Sequence, residues 1–387
     1  MADVDNAASA QEREEMRSAA EDKIFVASQW QLMRWRFKRH KLAVVSLFVL
    51  IFLFIIAIFA EFFAVEDPQY HKARYSFAPP QRIHLFRDGG LHPFVYGWDY
   101  GRHPETLEMI YEVDKEKIYP VHFFVSGHPY DLLGIWETDI HLMGLAPIAP
   151  EVENKQIRLT PLGTDRMGRD LWSRMMYGTR ISMSIGLVGV TLSLVLGILL
   201  GGISGYYAGT VDLIIQRIIE FIRSMPTIPL WMALAAAMPR DWPPLRVYFG
   251  ITVILSLLGW TGLARVVRGR FLSLREEDFV MAARLAGTSE LRIIVVHMVP
   301  SFLSYIIANI TLAIPGMILS ETSLSFLGLG LRPPVISWGV LLQEAQNIHA
   351  VAKAPWLLLP GVLVILTVLA YNFMGDGLRD AADPYSR

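Results

Sequence analysis

The sequence predicts an all-α polytopic membrane protein of about six transmembrane helices, with a small α+β insertion between the first two. Three observations carry that prediction. Of 387 residues, 53% are hydrophobic and only 18% charged, with a mean hydropathy of +0.38, too apolar for a soluble domain of this length. Roughly six runs approach the ~20 apolar residues needed to cross a hydrocarbon core. One polar stretch, far longer than an ordinary connection, separates the first run from the others.

Taken in order, residues 1–22 are rich in Ala, Glu and Arg, with too little apolar surface to bury, and are expected to be mobile or weakly helical. Trp30, Met33 and Phe37 then share a face at helical spacing while Arg34, Lys38 and Lys41 lie elsewhere, the pattern of a helix lying on a membrane surface. Residues 1–41 therefore read as a cytoplasmic segment, because Arg34, Arg36, Lys38, Arg39 and Lys41 precede the first run and basic flanks favour the inside. The run 42–64 lies too far into the chain, and is too long, for a cleaved signal peptide, and reads as transmembrane helix 1.

Residues 65–180 form the outside insertion and the elbow leading into the second span. Within it, 106–113 and 117–125 are rich in β-branched and aromatic residues, and 114–116 between them predicts a hairpin turn. His71, His84, His92, His103, His122, His128 and His141 also fall here, but none form an i, i+4 pair, so no metal site is expected. Five further runs, 181–206, 213–238, 247–267, 293–319 and 356–374, make a core over 181–376, followed by a cytoplasmic tail, 377–387. Counting crossings puts the connection holding Arg268, Arg270, Arg275, Arg284 and Arg292 in the cytoplasm, where it continues the basic bias. Arg217 and Glu220 are spaced for a local ion pair, with Arg223 and Asn309 as further polar residues near or within spans. Pro226, Pro229, Pro315 and Pro360 supply kinks, static or hinging.

Several functions are excluded. A net charge of −1 leaves no basic excess for nucleic acid, and no cysteine means no disulfide or thiolate chemistry. No Gly-x-x-x-x-Gly-Lys-Ser/Thr loop occurs, so the chain has no phosphate nest to use ATP itself. An ion-coupled transporter would need midplane ionisable groups and often an inverted repeat, and an intramembrane hydrolase paired carboxylates or Ser and His at depth; neither pattern is evident.

Two segments carry motifs. In 278–300, Asp278 can cap a short helix through Met281, Ala282, Ala283 and Arg284; Gly287 suits a left-handed C-terminal residue, and Thr288 can cap the next helix, which holds Glu290 and leads to His297 and Pro300. Small residues there allow another backbone to come close. In 161–182, Gly163 and Gly168 permit tight turns around Thr164, Asp165 and Arg166, and Asp170 after Arg169 can cap the helix that follows.

The first of these segments resembles the cytoplasmic EAA loop of ATP-binding-cassette importer permeases, with Met281 where the family has Glu. The second resembles the stretch before span two in the dipeptide and oligopeptide permeases. Ser325 to Pro334, Ser337 to Gly339 and Gly375 to Asp380 are similar to that family's C-terminal half. The resemblance implies a type I importer permease fold and a transport subunit without catalysis of its own. It implies as partners a second homologous permease, two ATPase subunits or one fused ATPase that bind ATP and Mg, and a periplasmic peptide-binding protein. It also implies a peptide substrate and a bacterial inner-membrane location with both termini cytoplasmic and the large loop periplasmic. The enlarged insertion, roughly 69–156, resembles the Yej-type subgroup associated with peptides and microcin C-like antibiotics.

Overall fold

The computed structural model describes residues 29–382 apart from 88, 106–107, 146–157 and 240. The expectations for 1–22, for the start of the predicted hairpin at 106–107 and for the last residues of the tail lie outside the described residues. Helix α1, Gln29–Arg39, meets α2, Lys41–Ile58, at His40, whose imidazole accepts the N–H of Ala43. Phe59 interrupts the run, and the short α3, Ala60–Phe63, ends it.

The insertion is a four-stranded antiparallel meander of β1 (His84–Arg87), β2 (Gly90–Arg102), β3 (Met109–Leu132) and β4 (Trp136–Leu145). The long β3 pairs with β2 along its first half and with β4 along its second. The predicted turn at 114–116 is overturned. Tyr96 pairs with Ile118 but Gly97 with Asp114, so the intervening residues bulge from an unbroken strand. Asp114 accepts the N–H of Glu116 at 2.9 Å, and the Lys117 ammonium bridges Asp114 and Asp99 at 2.6 Å each, so the polar residues are satisfied without reversing the chain. The reversal comes instead at Leu133 and Gly134, with φ of 54° and 68°. His141 pins β4 to the membrane segment: its Nδ1 lies 3.0 and 2.8 Å from the carbonyls of Glu61 and Ala64.

The bundle begins with α4, Leu171–Tyr207. The third expected span is broken into α5, Gly209–Ser224, and α6, Thr227–Ala236, bent by 89°. Pro226 is the cause, since its ring pushes Met225 out of the helical region to φ −89°, ψ 141°. Then come α7, Pro244–Leu274, and α8, Asp278–Leu285. The fifth expected span, 293–319, starts later than predicted. Ile293–Met298 is π-helical and Phe302 leaves the helix at φ −127°, so the membrane-length helix is α9, Leu303–Phe326. Two short helices, α10 (Trp338–Gln343) and α11 (Ile348–Lys353), precede α12, Leu359–Ala382.

Helices α4 and α7 run parallel. The α4 positions 184, 189, 193, 201 and 205 meet 248, 256, 259, 264 and 268 of α7 in the same order. Since α4 ends where α7 also ends, the bent α5–α6 pair must carry the chain back across the bundle. Among the described residues five helices are long and apolar enough to cross a membrane, and the bent pair, which must return the chain, makes a sixth crossing. The sheet sits at the end where α4 begins; α1, the 278–300 loop and the end of α12 gather at the opposite end, where Gly377 lies against Ala43.

The loop at one end and the clasp at the other

At the loop end, α8 finishes in a Schellman arrangement: the N–H of Thr288 reaches the Ala283 carbonyl at 3.1 Å and that of Gly287 the Arg284 carbonyl at 2.9 Å. Gly287 has φ +72°, and a Cβ built there meets nothing within 4 Å, so the turn needs glycine for its backbone angle and leaves open space outside. Two capping expectations are corrected. Glu277, not Asp278, holds the N-cap position of α8, and Ser289, not Thr288, that of Glu290–Arg292; neither side chain caps. The chain enters each helix one residue away from the predicted cap, and the backbone bonds of the turn do the work instead.

One face of this loop is held firmly. Val280, Ile293 and Met298 are fully buried against Val267, Phe271 and Ile306. Arg284 lies over the Tyr206 ring at 4.9 Å and donates to its hydroxyl, and the Tyr207 hydroxyl donates to Glu290. The other face is apolar and open: Leu285 is 87% and Leu291 67% exposed, with Met281 and Phe279 beside them. Ala282 is exposed, Ala283 and His297 half-buried, and Pro300 exposed at the edge of the π-helical turn.

At the sheet end, the motif before α4 folds into a buried clasp. Asp165 accepts the N–H groups of Met167 and Arg169 at 2.8 and 3.0 Å, the Arg169 side chain at 2.6 Å and Arg174, while Arg169 continues to Glu344 at 3.1 Å. Thr164 exchanges bonds with Ala78, and Trp356 donates to the Thr164 carbonyl. A Cβ on Gly168 would stand 2.1 Å from the Lys72 carbonyl oxygen, so glycine is required there for space as well as for φ +74°. Asp170 caps α4 as expected, accepting the Ser173 N–H at 2.7 Å. The clasp thus joins the strap 66–81, the start of α4 and the segment before α12.

Sequence reasoning missed the clasp's distant members. Arg158 donates to Glu66 at 2.8–2.9 Å and Arg180 binds Glu61, pairs with no local spacing to reveal them. It also missed Glu321, fully buried and accepting from Ser325 at 2.8 Å and Ser337 at 2.7 Å, with Trp338 N–H bonded to Ser182 alongside. Those bonds explain the Ser325 and Ser337 motifs, which fold α10 against α4 and α9. Among the described residues no group of three His, Cys, Asp or Glu could hold a metal ion.

A six-crossing helical bundle with an open apolar loop at one end and a clasped insertion at the other defines a helical polytopic membrane permease. The chain belongs to the family of binding-protein-dependent transport system inner membrane components, which matches residues 194–387; the N-terminal transmembrane domain of oligopeptide transport permease C matches 28–80. It is 38% identical over 65% of its length to the oligopeptide transport system permease protein OppC of Haemophilus influenzae, covering 76% of that protein. It is 37% identical over 58% of its length to the dipeptide permease DppC of Bacillus subtilis, covering 68% of it. The inward-facing MetNI methionine transporter overlaps 54% of this chain and 96% of that one at 17% identity and a TM-score of 0.44, too loosely to carry detail. The chain is thus a multi-pass inner-membrane, non-catalytic subunit of an ATP-binding-cassette importer, served by separate ATPase subunits and a substrate-binding protein. The whole sheet lies between the two matched stretches.

Proposed function

We propose that this chain forms half of the pathway of an ATP-driven peptide importer, with a second, homologous permease as the other half. Two ATPase subunits, or one fused ATPase, bind ATP and magnesium below it, and a periplasmic binding protein delivers peptide above. The observation that carries this reading is the loop 278–300, rigidly seated on one face and openly apolar on the other. A water-facing end has no reason to expose Leu285 and Leu291 unless another protein covers them. Peptide as cargo rests on the relatives, whose names are those of oligopeptide and dipeptide permeases. The termini and this loop face the cytoplasm, the sheet the periplasm, and the enlarged insertion favours the Yej-type subgroup.

The assembled complex, purified from its native operon and placed in proteoliposomes, tests the reading. Co-purified ATPases and a second permease, with ATP-dependent uptake of short peptides, are expected. Gly287→Asp adds about 1 kcal/mol of backbone strain, but its Cβ meets no atom within 4 Å. It should insert normally and uncouple ATP hydrolysis from uptake; unchanged uptake would refute the loop's role.

A further inference from the structure

A cavity of about 430 Å³ opens beside the break between α5 and α6. It is walled by Ser193 of α4, Gly259 of α7 and Gly316 of α9, all near mid-length of helices that cross the bundle, so it sits close to the bilayer midplane. Arg223 lines it. The neighbouring Arg217 is paired with Glu220 at 2.7 Å, whereas Arg223 has no carboxylate partner among the described residues, and no Asp or Glu lines the cavity. Arg223 is exposed, so its guanidinium is open to an anionic partner entering the cavity.

Other groups facing the same space are also donors. The Trp231 indole N–H is buried with no partner. Thr227 begins α6, whose N-cap is Pro226 and offers no side-chain acceptor, so the N–H groups of Thr227 and Ile228 and the positive helix end stay uncompensated, Pro229 having no N–H and Leu230 bonding back to Pro226. Ser193 has already given its hydroxyl proton to the Ser256 carbonyl, at 3.1 Å. A cavity of this size with a cation, a free indole N–H and a bare helix start selects an anionic group on a small ligand.

We propose that this cavity is a station for the C-terminal carboxylate of the translocated peptide, with Arg223 as counter-charge and Trp231 as hydrogen-bond donor. The identity of the ligand rests on the peptide-importer reading. A peptide amine terminus would find no carboxylate here and would face Arg223, and Pro226, by breaking the span, is what turns the start of α6 toward the pathway.

The test uses the assembled complex in proteoliposomes and a tripeptide ending in benzoylphenylalanine, irradiated during uptake. Labelling should fall within residues 222–231, and a tripeptide with a free carboxylate should compete at least about tenfold better than its C-terminal amide. Arg223→Gln should cut labelling about tenfold and erase that preference, while Arg223→Lys keeps the preference. If Arg223→Gln does not assemble, Trp231→Phe reads the same site by a loss of about threefold. Equal competition by acid and amide, or full labelling in both the Gln and Phe variants, overturns the station. A wild-type complex that hydrolyses ATP yet imports no peptide overturns the importer reading; one that imports peptide and labels elsewhere overturns the station alone.

Discussion

Asp170 combines a helix cap with an incompletely paired carboxylate. Its Oδ2 accepts the Ser173 N–H and hydroxyl at 2.7 and 2.6 Å, while Oδ1 is buried without a partner. Burial pushes this carboxyl up to about 6 against the pull of Ser173, and burial pushes Glu66 up to about 7 against the pull of Arg158. Both folded values exceed those of the unfolded chain, so the folded form holds protons that the unfolded form has released. That stabilisation is complete below the unfolded values, near pH 4, and is lost as pH rises through about 6 and 7. The contribution of these two groups to the melting temperature should be greatest at about pH 4 and fall from there, with on the order of 3 kcal/mol lost per fully shifted group by about pH 8. Asp170→Asn keeps an oxygen for Ser173 and should flatten the melting-temperature profile; a slope equal to that of the wild type would show that Asp170 does not titrate in this way. The cap was legible because an acceptor stood directly before its own helix. The Arg158 to Glu66 pair was not, because 92 residues separate its ends and only the fold joins them.

Helix α4 meets α7 along Gly189, Ser193, Gly197, Gly201 and Gly205, a small residue at every fourth position. A Cβ on Gly201 would lie 2.5 Å from the Ala264 carbonyl oxygen, with backbone and not a movable side chain in the way. Gly201→Leu should therefore part the two helices and cost roughly 1–3 kcal/mol. Gly262→Ala, on α7 but facing open space, should be neutral or gain up to about 1 kcal/mol. Thermal melting of both variants in detergent separates close packing from general helix propensity; equal stability would refute the tight seam. The long apolar helices were legible from hydropathy because the bilayer demands length and little else. The kink at Pro226 was legible from the proline itself, but its 89° sharpness and the late start of α9 were not, since apolar composition continues through both and only the backbone changes. At 114–116 the polar residues signalled a turn, but β2 on one side and β4 beyond it kept β3 straight, and local chemistry could form only a bulge.

On the scale of the whole molecule, the sequence's count of six crossings survives because α4 and α7 are parallel, which obliges the bent pair to return the chain. The side of the membrane can be read directly, since the chain has no cysteine of its own. Ser126→Cys in the sheet and Ser289→Cys in the loop are exposed at opposite ends. A charged maleimide added to intact spheroplasts should label the first and reach the second only after permeabilisation; the reverse pattern would invert the orientation. Between those two ends runs one unbroken element. Helix α4 has 37 residues and is about 55 Å long at 1.5 Å per residue. It is fixed by Asp165 and Asp170 at its start and ties to Arg284 and Glu290 through Tyr206 and Tyr207 at its finish. Such a helix is built as a push-rod: with no joint along it to take up slack, a shift of the loop would be carried to the clasp, whereas the α5–α6 pair has its 89° elbow part-way.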